Sequence, residues 1–166
     1  MSYSIFEYKK FASCNFLGGN TNSFEVKIKD DGIVEYQESD FKGKNLKLAF
    51  YQLKIETIEK IKKLIENNSE IFDVNSHLDN GSLDGCGNEF WFANTNRNRK
   101  ILAWNIDISI DDGRIIEEEY LKKYGENLKQ ERLVLKLFFE ICNILKEEDY
   151  ELSLYSFNTT NKMLYI

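Results

Sequence analysis

Two side chains in the middle of the chain could do chemistry together. Cys86 sits between glycines in GSLDGCGNEFWFAN, residues 81–94, and His77, the one histidine, lies in the same loop region. If they met, the imidazole could draw off the thiol proton and leave a nucleophile. No surrounding motif orients the pair, so a bend that feeds a strand into a core is the first reading and a thiol enzyme or small hydrolase built on residues 77–89 the second. Phosphate cradling has less support. A P-loop needs a lysine after its glycines and a dinucleotide fingerprint needs a third glycine and a following helix, and Gly85-Cys86-Gly87 has none of these.

Carboxylates offer two further groupings. Asp107, Ser109, Asp111 and Glu118 are spaced as positions one, three, five and twelve of a calcium loop, but Asp112 stands where that loop needs glycine and Gly113 comes one place late. Strand end, turn and acidic helix start account for every residue without a metal. Asp79, Asp84 and Glu89 form a looser set in the glycine-rich loop, and Asp79 and Asp84 are retained as binding candidates. On the basic side, Arg97, Arg99 and Lys100 gather at an expected hairpin tip beside Trp91 and Trp104. Cations interleaved with aromatics suit nucleic acid strands or an acidic partner, whereas a charged tip that keeps a sheet edge soluble is the plainer reading.

The elements that must position these residues follow from periodicity. Residues 23–29, SFEVKIK, alternate apolar and charged as a half-buried strand, Asp30-Asp31-Gly32 supplies a turn, and residues 33–38 return as its partner. Residues 3–8 can add another strand. From Lys54 the apolar period becomes helical through Ile55, Ile58, Ile61, Leu64 and Ile65, with Glu56–Lys60 and Glu59–Lys63 pairs outside and a left-handed cap expected at Asn67-Asn68. Residues 75–87 read as loop. Residues 89–93 and 100–108 form a hairpin with Phe90 and Phe92 on one face and Trp91 on the other, while Leu102, Trp104 and Ile106 oppose Ile101 and Ala103. A short helix over 116–124 is expected to stop at Gly125, before a longer one from about 128 to 146. Residues 150–157 and 163–166 read as final strands around a turn at 158–161. Hairpins grouped between helices predict an α+β fold over residues 1–166 as a single domain, an antiparallel sheet with two main helices on one face.

Composition narrows the function classes. With 42% hydrophobic and 30% charged residues and a net charge of -6, the chain has what it needs to bury a core and requires no cofactor to fold. The same acidity disfavours nucleic acid, whose binding rests on lysine and arginine displacing counterions. No apolar run suits a signal peptide or a membrane span, which leaves the cytoplasm as the expected compartment. Cys14, Cys86 and Cys142 are an odd number without C-x-x-C spacing, so free thiols are expected rather than a disulfide framework or zinc site. Aromatics on both faces of the 89–108 hairpin leave apolar surface for another protein. The expected function is therefore a non-catalytic protein-binding module, with an inhibitor or immunity-type protein, whose acids cover a basic active site, as its concrete form.

Overall fold

A computed structural model describes residues 1–12, 22–78, 86–104, 106 and 118–164. It is an α+β fold. Seven strands form one sheet: β1 (Ser4–Ala12), β2 (Ser23–Lys29), β3 (Ile33–Ser39), β4 (Asn45–Gln52), β5 (His77–Leu78), β6 (Cys86–Ala93) and β7 (Asn98–Trp104). Their spatial order is β4-β3-β2-β1-β6-β7-β5, antiparallel throughout except where β5 joins β7 in parallel. Helices α1 (Ile55–Asn67) and α2 (Glu118–Lys146) are followed by a small hairpin, β8 (Tyr150–Leu152) with β9 (Phe157–Thr159).

Alternation decides which face is covered. Phe6, Tyr8 and Lys10 on β1, Phe24, Val26 and Ile28 on β2, and Phe90 and Phe92 on β6 are buried, and apart from Ile5 and Ala93 their neighbours are only partly so. Ile5 breaks the rhythm because it is the extra residue of a bulge between Ser4 and Phe6, which turns two consecutive apolar side chains inward. Phe138 of α2 meets Phe6, Tyr8 and Phe90 at centroid distances of 6.3, 4.8 and 5.6 Å, so this helix lies across the centre of the sheet. Helix α1 buries Thr57, Ile58, Ile61 and Ile65 in the same core. Phe157 of the small hairpin packs on Tyr36 and Tyr51, extending the covered face toward β3 and β4.

Several local expectations are corrected. Residues 45–52 form a full strand that periodicity did not mark, and the expected loop 75–87 contains β5 and the start of β6. The expected helices over 116–124 and 128–146 are one helix: a side chain at Gly125 would meet nothing within 4 Å, so neither packing nor strain stops the helix there. Strand β7 ends at Trp104 rather than 108, residues 150–157 divide between two short strands, and residues 163–164 make a single backbone bond, Leu164 N–H to Phe50 C=O at 2.7 Å. Asn68 ends α1 at φ -116° by donating its side-chain amide to Leu64 C=O at 2.8 Å, without a left-handed residue. Of the expected surface pairs, Glu59 joins Lys62 and Lys60 joins Glu147. Ile55 is exposed. Among the described residues no helix is long and apolar enough to cross a membrane.

Candidate functional site

The face of the sheet opposite the helices is lined, strand by strand, by the other half of the alternation. One row across it reads Glu35, Lys27, Glu7, Trp91, Lys100, and the next Gln37, Glu25, Lys9, Glu89, Leu102. Acids and lysines alternate across neighbouring strands, which lets each sign meet its opposite. Lys27 lies 3.5 Å from Glu25, Lys29 3.6 Å from Glu35, and Lys100 3.0 Å from Glu89. Burial alone would lower the Lys27 pKa, but Glu25, Glu7 and Glu35 outweigh it and hold the ammonium above its usual range. The middle of this face is thus a neutralised charge lattice.

Its two ends are apolar. At one, Phe11, Gly87 and Trp104 stand side by side, with the rings of Phe11 and Trp104 edge to face at 5.5 Å. Gly87 is needed there, because a side chain at that position would run into the Phe11 ring. At the other end, on β4, Leu46 and Leu48 are 44% and 48% exposed, and the C-terminal segment reaches Phe50 through the Leu164 N–H.

On the covered face a polar cluster of the sheet interrupts the core, apart from Thr57 and Glu131, which the helices bury. Lys10 and Asn88 are fully buried, and the Asn88 side-chain carbonyl accepts from Lys10 Nζ at 3.1 Å and from the Tyr8 hydroxyl at 2.9 Å. The Tyr8 oxygen also lies 2.8 Å from Leu154 C=O, so its one proton is shared between the two acceptors, and Asn88 Nδ2 donates to Ala103 C=O at 3.3 Å. The Lys10 ammonium stands 4.7 Å from the Tyr155 ring centre. These bonds tie β1, β6, β7 and the β8–β9 turn to one another, which is a structural use of polar groups.

Against this frame the residues singled out by sequence fall apart as a constellation. His77 pairs with Leu102, which pairs with Glu89, while Cys86 lies three residues further along β6. Two strand spacings and three residues separate the His77 and Cys86 backbones by about 14 Å, beyond hydrogen-bond reach of the two side chains. His77 is exposed with Nδ1 3.2 Å from Ser76 Oγ, and the Cys86 side chain lies outside the described residues. So do Asp79, Asp84, Cys14 and nearly all of the 107–118 segment. Arg97 is engaged within the molecule: its guanidinium pairs with Asp73 and lies 5.1 Å from the Phe72 ring centre. Arg99 donates from Nε to Val74 C=O at 2.6 Å. Both arginines fasten the β6–β7 hairpin to the end of the 3-10 segment Ser69–Asp73, Arg97 through Asp73 and Arg99 through the capping residue Val74. Trp91 is half-buried with its indole N–H 3.4 Å from Ser4 C=O, and Trp104 is 39% exposed.

A groove of about 390 Å³ between the 3-10 segment and α2 is lined by Glu70, Asp73, Glu126, Lys129, Val74 and Leu133 among others. Among the described residues no three His, Cys, Asp or Glu side chains converge as a metal site would require. The Lys10–Asn88–Tyr8 group and the exposed leucines of β4 escaped sequence reasoning. A lysine in phase with Phe6 and Tyr8 was the available signal for the first. For the second, nothing short of strand order marks β4 as an edge. No protein-family model matches the chain, and no curated protein sequence matches it.

Proposed function

We propose that the chain is a non-catalytic protein-binding module that presents the helix-free face of its sheet to another protein. The observation that carries this is the distribution of exposed apolar side chains: among the described residues helices cover one face only, and the opposite face carries Leu46 and Leu48 at one end and Trp104 at the other. Exposed apolar side chains grouped at the two ends of a charge-balanced face offer a partner apolar surface to bury. An inhibitor or immunity-type role is the concrete form, since a net charge of -6 favours encounter with a basic target. A cytoplasmic setting suits Cys142, which is a free thiol. The enzymatic alternative draws no support from the separation of His77 and Cys86.

The test is cross-linking of the full chain, through lysines, to whatever co-purifies stoichiometrically from its native cell. Cross-links on Lys9, Lys27 and Lys100, with loss of the complex in Trp104→Ser or Leu48→Asp, are expected. Cross-links confined to Lys60, Lys129 and Lys136 on the helices, or no stoichiometric complex, would remove this reading.

A further inference from the structure

We infer that the open edge of β4 takes an extended segment whose side chains alternate between apolar and acidic, added as a further strand of the sheet. This rests on the protein-binding reading in its general form, not on its basic-target form, since the segment taken at this edge is acidic.

Residues 41–54, FKGKNLKLAFYQLK, hold four lysines and no acid, in a chain whose acids outnumber its basic residues by 28 to 22. The fold puts this basic stretch at the border of the sheet. Lys42 and Lys44 stand on the β3–β4 turn, where their backbone N–H groups both bond Asp40 Oδ1 at 2.8 Å, and Lys47 follows on the strand. Among the described residues none of these three lysines forms an ion pair. The Lys47 ammonium instead lies 5.1 Å from the Tyr36 ring centre, on the helix-covered side.

Among the described residues, the outward backbone of Leu48 has no partner. Phe50 C=O accepts from Leu164 N–H, so Phe50 points away from β3. Alternation then turns the N–H and C=O of Leu48 the same way. Between Lys47 and Asn45 the register shifts by one residue, which makes Leu46 the extra residue of a bulge and marks where further pairing stops. A strand laid beside β4 would have its apolar residues next to Leu46 and Leu48 on the helix-free side, ending short of Phe50, whose carbonyl Leu164 already holds. Its other residues would stand beside Lys47 and below Lys44.

Lysines and a bulge on an edge strand also serve to repel unwanted neighbours. Repulsion accounts for the lysines, but it gives no reason for two leucines about half exposed on the same strand. Together they select a neighbour instead of refusing all of them: apolar contact and main-chain bonds supply affinity, and only an acidic strand meets the charge. A second copy of this edge is disfavoured, since it would bring the same lysines together.

The experiment titrates the full chain with a short end-blocked peptide alternating valine and glutamate, and separately with its valine–lysine counterpart, following backbone amide signals. The glutamate peptide is expected to bind, to shift amides of Asn45–Phe50, and to weaken with salt. Lys44→Glu/Lys47→Glu should weaken it at least about tenfold. Leu46→Thr/Leu48→Thr, which keeps strand propensity, should weaken it as well. No binding, equal binding of the lysine peptide, or indifference to both variants would overturn the inference. A cross-linked cellular partner without peptide binding would overturn the edge and leave the module standing, and peptide binding without such a partner would do the reverse.

Discussion

The Glu148 carboxylate accepts hydrogen bonds from the backbone N–H of Lys54, 94 residues earlier in the chain, at 3.2 and 3.3 Å, and so caps a helix to which it does not belong. Helix α1 has no capping side chain of its own at Lys54. The third helical position, where a capping box would place a glutamate, holds Thr57, which donates its hydroxyl to the same carboxylate. Glu148→Ala should therefore cost about 1–2 kcal/mol. Denaturant titration checks it, and an unchanged midpoint would show that the cap contributes nothing.

Phe11 and Gly87 should be coupled. Gly87→Ala would push the Phe11 ring from its place against Trp104, and the lost aromatic contact puts the cost near 1 kcal/mol. In a Phe11→Ala background the added methyl has nothing to displace, so the same substitution should become neutral or mildly stabilising. A double-mutant cycle that showed simple additivity would refute the close packing.

Gly125 tests the opposite situation. It lies inside α2 with open space where a side chain would project. Gly125→Ala should stabilise the protein by about 0.5–1 kcal/mol, with higher helical signal in circular dichroism. Destabilisation would mean that the helix is interrupted there after all.

Cys142 should be close to inert while the protein is folded. Burial pushes its thiol up from 9.0 to about 12, three units less acid, which leaves roughly a thousandfold less thiolate at neutral pH. In a Cys14→Ser/Cys86→Ser background, labelling by an aromatic disulfide should be slow under native conditions and rapid in denaturant. Equal rates in the two conditions would contradict the burial.

Acid should loosen the N-terminus before it unfolds the sheet. Burial works against ionisation of Asp30, but the Tyr3 N–H at 3.0 Å and the Ser2 hydroxyl at 2.9 Å outweigh it and hold the carboxyl below its usual 3.8. Because the folded value is the lower one, the tie is at full strength above that usual value and is lost as pH falls through the folded one. Protection of the Tyr3 amide from hydrogen exchange should follow this course, and Asp30→Asn should flatten it. A pH-independent Tyr3 in the native sequence would exclude Asp30 as the anchor.

What could be read from sequence was whatever a single element states about itself. The alternation in 23–29 and the helical period from Ile55 to Ile65 each describe one buried face, and both elements form. Strand β4 has a similar alternation hidden by Lys47, whose ammonium lies on the covered side against Tyr36, where an apolar residue would have announced the strand. Gly125 misled for a related reason: a glycine's meaning depends on what stands opposite, and nothing does. Arg97 and Arg99 looked like a free basic patch because Asp73 and Val74, which engage them, are distant in sequence. Lys10 and Asn88, likewise, become a pair only once β1 and β6 lie side by side.

That last adjacency bears on how the chain is made. Of the sheet's strands β1 is synthesised before the others, and β2, β3 and β4 can zip onto one side of it as a local meander, but its other side waits for β6, whose first residue is Cys86. Until then Lys10 lacks Asn88 and the nascent sheet carries a bare central border. Closing the long excursion between them is the entropically demanding step of assembly, and the interval before it is when the polypeptide is most open to capture by a chaperone or by its own neighbours.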